Sequence, residues 1–190
     1  MPSKPKFSHI VFQTAQGEAM RNWYSTVLDG YVVFSDDVLS FITYDEEHHR
    51  VALIHPPMDM DRKTEKTAAF HHSAYTFENI DDLLERYVML RDKGIHPAVC
   101  ICHGITTSMY YKDPDGNFAE LQVDTFENPD DATAYMKGPY YHEDSVGPAF
   151  DPEALLKKRR DGVSEQELSD RETWRGLDLG NPLDVLMGPR

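Results

Sequence analysis

Hydrophobic and polar positions along the first 125 residues spell one pattern twice. The run Phe7 to Thr14 (FSHIVFQT) is rich in β-branched and aromatic residues and predicts a strand. The next stretch, GEAMRNWYSTVLDG, sets Met20, Trp23, Tyr24, Val27 and Leu28 at helical spacing, with Gly30 as its stop. Three short strands are predicted after it, around residues 31–35, 38–44 and 50–55, with Asp36-Asp37 and Asp45-Glu46-Glu47 at the turns. The second copy starts at Ala69. AFHHSAYTF predicts a strand. IDDLLERYVMLRDKG predicts a helix with Ile80, Leu83, Leu84, Tyr87 and Leu90 on one face and Gly94 as its stop. PAVCICHG, TTSMYYKD and FAELQVDT predict three more strands. Between the last two, Asp113-Pro114-Asp115-Gly116-Asn117 is strong turn chemistry, since Pro114 presets φ and Gly116 accepts φ > 0. His9 and His72 are 63 residues apart, and Gly30 and Gly94 are 64 apart. A repeat of that length implies two modules facing each other, not a solenoid.

The expected organisation is α+β: a first βαβββ module over residues 6–57, a linker loop over 58–68, a second βαβββ module over 69–125, and a C-terminal extension over 126–190. The linker, PPMDMDRKTEKT, is polar and led by prolines. The extension shows no strand alternation. Asp151 followed by Pro152 predicts one short helix to about Arg160, and Ser164 with Glu167 forms a capping box for another. With 8 basic and 14 acidic residues, the extension reads as a solvated or subunit-clasping arm on a finished core, serving assembly or pocket closure and carrying no chemistry.

Composition narrows the function classes. The 190 residues suit one compact domain or two small modules. A net charge of −14 argues against nucleic acid and anionic membrane as partners. No apolar stretch approaches a membrane span of about 20 residues, and the Met-Pro-Ser-Lys-Pro-Lys start has no signal-peptide core. Cys100 and Cys102, two apart on one strand, point the same way, a poor geometry for a mutual disulfide. A reducing, cytoplasmic compartment is expected.

Among nine histidines, placement matters more than number. His9 and His72 occupy matching first strands of the two copies, and Glu120 lies just after the DPDGN turn. Two imidazoles and one carboxylate can bind one face of a divalent metal and leave the other open, as in non-haem Fe(II) oxygenases. His71 and His72 alternate across the strand, and the repeat aligns His9-Ile-Val-Phe with His72-Ser-Ala-Tyr, so His72 is the candidate ligand.

The stretch ICHGITTSMYYKDPDGNFAE, residues 101–120, resembles the signature of the type I extradiol ring-cleaving dioxygenases. These belong to the vicinal oxygen chelate superfamily, with glyoxalase I and the bleomycin and fosfomycin resistance proteins. The signature joins a histidine (His103), a tyrosine (Tyr110), a D-P-x-G turn and a terminal glutamate (Glu120), and the resemblance covers residues 6–125. It implies a one-domain member of the fold, formed by pairing of the two modules, and an Fe(II) cofactor, with Mn(II) as the alternative. It implies cleavage of a small aromatic diol by O2 to a ring-opened semialdehyde, in a homo-oligomer. His9, His72 and Glu120 match the three metal ligands. His49 matches the acid–base histidine, although the expanded loop before His72 leaves His48 and His55 as alternatives. His103 matches a histidine facing substrate and oxygen. Tyr110 matches a tyrosine hydrogen-bonded near the metal-bound catecholate oxygen. Phe12, Phe34, Phe41, Phe70 and Tyr75 are candidates for the pocket lining. Two rival readings remain. One is another metal enzyme of the superfamily, glyoxalase-like or fosfomycin-resistance-like. The other is a metal-free binding protein of the bleomycin-resistance kind.

Overall fold

The computed structural model describes residues 3–61, 63–64 and 67–188. Both copies of strand–helix–strand–strand–strand are present, and each closes its own four-stranded sheet. The chain divides into two compact units. The first runs to Ala69 and includes the turn Asp113–Asn117; the second holds Phe70–Lys112 and the chain from Phe118 onward.

In the first unit, β1 (Ile10–Gln13), α1 (Gly17–Val27), β2 (Tyr31–Ser35), β3 (Leu39–Thr43) and β4 (Val51–Ile54) give the sheet order β1-β4-β3-β2. β1 and β4 are parallel and the other pairs antiparallel. The 3.6-residue spacing read from the sequence turns Met20, Tyr24 and Val27 of α1 inward, and Phe12 of β1 stacks on Tyr24 at 5.1 Å between ring centroids. The helix end differs from expectation. Asp29, not Gly30, takes the left-handed conformation (φ 53°). Gly30 is required for space, because a Cβ there would stand 2.6 Å from the Thr43 carbonyl oxygen. β2, at the sheet edge, is exposed along its whole length, including Tyr31, Val32, Val33 and Phe34.

The DPDGN turn is organised by one carboxylate. Asp113 Oδ1 accepts from the backbone N–H of Asp115 (2.9 Å) and Asn117 (2.8 Å). Its Oδ2 accepts from the Asn117 amide (3.0 Å) and the Tyr24 hydroxyl (3.1 Å). Gly116 takes φ 85°, as such a turn demands. Burial pushes the Asp113 carboxyl above its usual range, opposed by these hydrogen bonds.

The second unit repeats the plan: β5 (His72–Phe77), α2 (Ile80–Asp92), β6 (Val99–Cys102), β7 (Thr106–Lys112) and β8 (Phe118–Asp124), in the order β5-β8-β7-β6 with β5 parallel to β8. Asn79 caps α2 by accepting from the Asp82 N–H, and the five predicted apolar positions of α2 are all buried. One sheet face carries the buried cluster Ile101, Tyr110 and Phe118, with Val99, Val146 and Leu186 packed on it.

The C-terminal extension corrects the expectation of a solvated arm. It forms α3 (Pro129–Met136), α4 (Pro139–Glu143), α5 (Pro152–Arg160), α6 (Glu165–Leu168), a 3-10 turn (Arg171–Thr173) and α7 (Pro182–Met187). Phe150, Leu155, Leu156, Leu168 and Trp174 are buried, so the extension is part of the core of this unit. Each such side chain contributes roughly 1.5–3 kcal/mol by burial. Glu153 of α5 accepts from Tyr87 and Arg91 of α2 (both 2.7 Å), and Arg159 forms a two-pronged pair with Asp81. The edge of β6 is covered by the extension: Cys102 N–H donates to the Pro148 carbonyl and Phe150 N–H to the Cys100 carbonyl, both at 3.0 Å. Gly147 makes this approach feasible, with φ 93° and no room for a side chain, since a Cβ would lie 2.1 Å from the Cys102 oxygen. The Arg171 guanidinium, fully buried, pairs with Asp144 (2.8 Å) and lies over the ring of Tyr140 (5.3 Å). No helix among the described residues is long and apolar enough to cross a membrane.

Candidate functional site

In the second unit four predicted residues converge. The β7–β8 register pairs Tyr110 with Glu120, and the parallel β5–β8 register puts Ala74 beside Glu120, two residues along from His72 on the same face of β5. The Tyr110 hydroxyl donates to Glu120 Oε1 at 2.7 Å and lies 2.9 Å from His103 Nε2. His72 Nε2 lies 3.3 Å from Glu120 Oε2. The Glu120 side chain is buried, and the Tyr110 hydroxyl satisfies its Oε1.

Protons can be assigned from acceptors. His103 Nδ1 stands 2.6 Å from the Val146 carbonyl oxygen, which only accepts, so Nδ1 carries the proton and the neutral ring leaves Nε2 bare. The single Tyr110 proton thus lies between two acceptors, His103 Nε2 and Glu120 Oε1. When Glu120 is engaged by a cation, the same proton is free to serve His103. Burial lowers the affinity of both His72 and His103 for a second proton, outweighing the pull of Glu120, and both imidazoles are held neutral near pH 7. Burial, with Glu120 adding to it, drives the Tyr110 phenol far above its usual value, so this hydroxyl remains a donor.

His103, Tyr110 and Glu120 line a cavity of about 610 Å³, a size suited to a small organic ligand. Its polar end is His103, Tyr110 and Glu120, and its apolar wall is drawn from Ile105, Val146 and the α7 residues Leu183, Leu186 and Met187. None of Phe12, Phe34, Phe41, Phe70 or Tyr75 lines this cavity. Phe12 is spent on Tyr24, and Phe41 stacks on His49 at 4.5 Å. The wall comes instead from the extension, where short proline-led helices gave no amphipathic signal strong enough to announce it.

The first unit holds the remaining candidates. Arg50 donates to the carbonyls of Phe7 (3.1 Å) and Ser8 (3.0 Å) and pairs with Asp45 (2.9 Å), which pins the chain just ahead of His9. The rings of His9 and His49 are 4.4 Å apart, and His49 Nδ1 lies 2.6 Å from His48 Nδ1. Burial, then the neighbouring His9 and His48, lowers the proton affinity of His49. His55 is occupied elsewhere, its Nε2 2.8 Å from the Ser40 hydroxyl.

His72 and Glu120 form a donor pair of the kind that suits a divalent cation: a neutral ring nitrogen and an anionic oxygen directed at one another. Among the described residues no group of three or more His, Cys, Asp or Glu side chains is gathered closely enough to hold a metal ion by itself. The repeat also shows what is missing from the first module. Val11 is the counterpart of Ala74, and its β4 partner is Ala52, so an alanine stands where the second module has Glu120. A second carboxylate ligand, as an isomerase of the superfamily would want, is absent there.

Comparison with known proteins agrees with this plan. Residues 6–121 match the family described as the Glyoxalase/Bleomycin resistance protein/Dioxygenase superfamily. Two curated proteins of Rhodococcus globerulus are similar over their full length. Biphenyl-2,3-diol 1,2-dioxygenase 2 is 57% identical over 98% of this chain and 99% of its own, and biphenyl-2,3-diol 1,2-dioxygenase 3 is 47% identical over 100% of both. The crystal structure of a glyoxylase/bleomycin resistance protein/dioxygenase domain from Frankia sp. EAN1pec shares the fold, with a TM-score of 0.54 at 17% identity over 66% of this chain and 96% of that one. The family match over residues 6–121, the two βαβββ modules and the full-length relatives together establish that this chain belongs to the Glyoxalase/Bleomycin resistance protein/Dioxygenase superfamily.

Proposed function

We propose that the protein is an extradiol dioxygenase that opens the ring of a biphenyl-2,3-diol or a closely related catechol. The observation that carries this reading is the meeting of His72, His103 and Tyr110 around the Glu120 carboxylate, three of these four groups lining a cavity with an apolar wall. The naming of two full-length relatives as biphenyl-2,3-diol 1,2-dioxygenases supports the substrate class.

In this reading His72 and Glu120 hold Fe(II), with Mn(II) as the alternative metal, and His9 is the third ligand by its repeat relation to His72. Two neutral ligands and one anionic ligand leave a single positive charge. The metal supplies Lewis acidity toward the diol oxygens and a place for O2 beside the ring. Tyr110 holds its proton at Oη, ready to donate to a diol oxygen or to His103. His103, bare at Nε2 and anchored at Nδ1, takes a proton at that atom and stabilises charge developing nearby. His49 is the acid–base group that removes the diol proton and later returns one, a role supported by its place beside His9 and its lowered proton affinity. The engagement of His55 with Ser40 supports His49 over that rival. The apolar wall takes the substituent of the diol and excludes water. A cytoplasmic setting is supported by the two free, buried cysteines, and a homo-oligomer by the exposed apolar edge strand β2.

Anaerobic reconstitution with Fe(II), then air and biphenyl-2,3-diol, tests the reading. A yellow ring-opened semialdehyde cleaved beside the diol is the expected product. A cis,cis-muconate, cleaved between the two oxygens, or unchanged diol contradicts it.

A further inference from the structure

His71 is not used by the function above. Its ring lies against Phe118, at 5.5 Å between centroids, and it touches two further groups of unlike kind. Nε2 lies 3.0 Å from the carbonyl oxygen of Leu186, in α7, and Nδ1 lies 2.6 Å from Nδ1 of His72. Strand alternation alone would have sent the two rings to opposite faces. The structure differs because β5 begins at His72, leaving His71 outside the ladder and free to turn its ring onto its neighbour.

The donors follow in sequence from the Leu186 carbonyl, which cannot donate. The Leu186 carbonyl only accepts, so His71 carries its proton on Nε2. A neutral His71 is then bare at Nδ1 and accepts there. Among the described residues, the donor facing it is His72 Nδ1–H. Glu120 Oε2 also only accepts and faces His72 Nε2, but at 3.3 Å it lies beyond the usual hydrogen-bond range, whereas the Nδ1 contact to His71 is 2.6 Å, so the proton of a neutral His72 sits on Nδ1 and Nε2 is bare. A backbone carbonyl in the last helix thus sets, through two rings, which nitrogen of His72 offers its lone pair.

We propose that His71 is a positioning residue for His72. It presents Nδ1 as an acceptor, holds the His72 proton on the far side of the ring, and leaves Nε2 available to a divalent metal. The proposal rests on the reading that His72 is a ligand. Histidines that bind metals commonly donate their second N–H to a fixed acceptor, and loss of that partner typically weakens binding by about 10–100-fold. Here the acceptor is a second histidine whose own orientation depends on α7. Leu183, Leu186 and Met187 of the same helix line the cavity, so one ring joins the substrate wall to the ligand.

The test is the affinity of the metal-free, full-length protein for Mn(II), followed by the electron paramagnetic resonance signal of free Mn(II), with folding checked by circular dichroism. His71→Ala should bind about 10–100-fold more weakly than wild type. His71→Asn places an amide oxygen where Nδ1 stood and should bind near the wild-type value, although it cannot reach Leu186. His71→Gln reaches toward Leu186 but offers no acceptor at the Nδ1 position, and should resemble His71→Ala. A role confined to packing would order the variants by size and put Gln above Asn, which would overturn the proposal. Wild-type affinity in His71→Ala alongside lost binding in His72→Ala would also overturn it and leave the ligand reading intact. Undiminished Mn(II) binding in His72→Ala removes the ligand reading and the proposal with it. The ring nitrogens of His72 give an independent readout. Their 15N resonances in the metal-free protein should report a proton on Nδ1 in wild type and His71→Asn, and a mixture in His71→Ala.

Discussion

His49 shows how much a single ring can be asked to do. A general acid–base group in the proposed reaction must be neutral when the diol arrives and must return a proton when the O–O bond breaks. Burial beside Phe41, His9 and His48 lowers the proton affinity of His49 and keeps the ring in its accepting form. Replacement by Phe preserves the stacking on Phe41 and removes only the proton chemistry. His49→Phe should keep its metal and lose about 10²–10⁴-fold in kcat, measured as semialdehyde formation under saturating diol. The same change at His55 should act through stability, because that ring is tied to Ser40. An active His49→Phe beside a metal-loaded but dead His55→Phe would transfer the role to His55. The candidates at this scale were legible because their chemistry is sparse in the sequence: a repeat-related histidine pair and a glutamate three residues after a D-P-D-G-N turn. Tyr24 shows the limit. Helical spacing marks it as a packing residue, and it is buried, but its hydroxyl also holds Asp113 across 89 positions of sequence, which no local pattern announces.

At the scale of elements, the ten strands and helices of the two modules follow directly from local signals: most bury one face and state that face in their periodicity, and the exposed edge strand β2 is legible from its β-branched and aromatic residues. The extension does not. Its helices are short, and the burial of Leu168 and Trp174 is decided by where they dock, so an acidic, proline-rich composition reads as a solvated arm. Segment 146–150 is the clearest case. It covers the edge of β6 and delivers the Val146 carbonyl to His103, and it does so only because Gly147 has no side chain. Gly147→Ala meets both a positive φ and a backbone oxygen, and should cost more than about 1 kcal/mol. It should also lower turnover beyond what the stability change explains, since His103 loses its Nδ1 partner. Urea denaturation and steady-state rates measured at 15 °C, where the variant is folded, separate the two. A fully stable, fully active Gly147→Ala would show that the extension does not position His103.

For the whole molecule, two histidines of lowered proton affinity, His72 and the partly buried His103, make stability depend on pH in a defined direction. His72 and His103 bind a second proton less readily in the folded chain than at the ordinary histidine value of about 6.5. Between the lowered folded value and about 6.5 the unfolded chain therefore holds more protons, and stability falls as pH falls through that window. Lowering pH also relieves repulsion in a chain of net charge −14, which works the other way. The comparison that isolates the histidine contribution is between wild type and His103→Gln, both metal-free. Wild type should lose more of its urea midpoint between pH 7.5 and 5.5 than the variant does; equal losses would mean that His103 is not held neutral by the fold.

In the proposed metal site, His72 and Glu120 form a pair completed by His9. Elemental analysis of Fe(II)-reconstituted His9→Ala, His72→Ala and Glu120→Ala, each shown to be folded, tests this most directly. Wild type should carry one iron per chain, and each variant should fall well below that stoichiometry and form no semialdehyde. Full iron in all three single variants would contradict the assignment of the site.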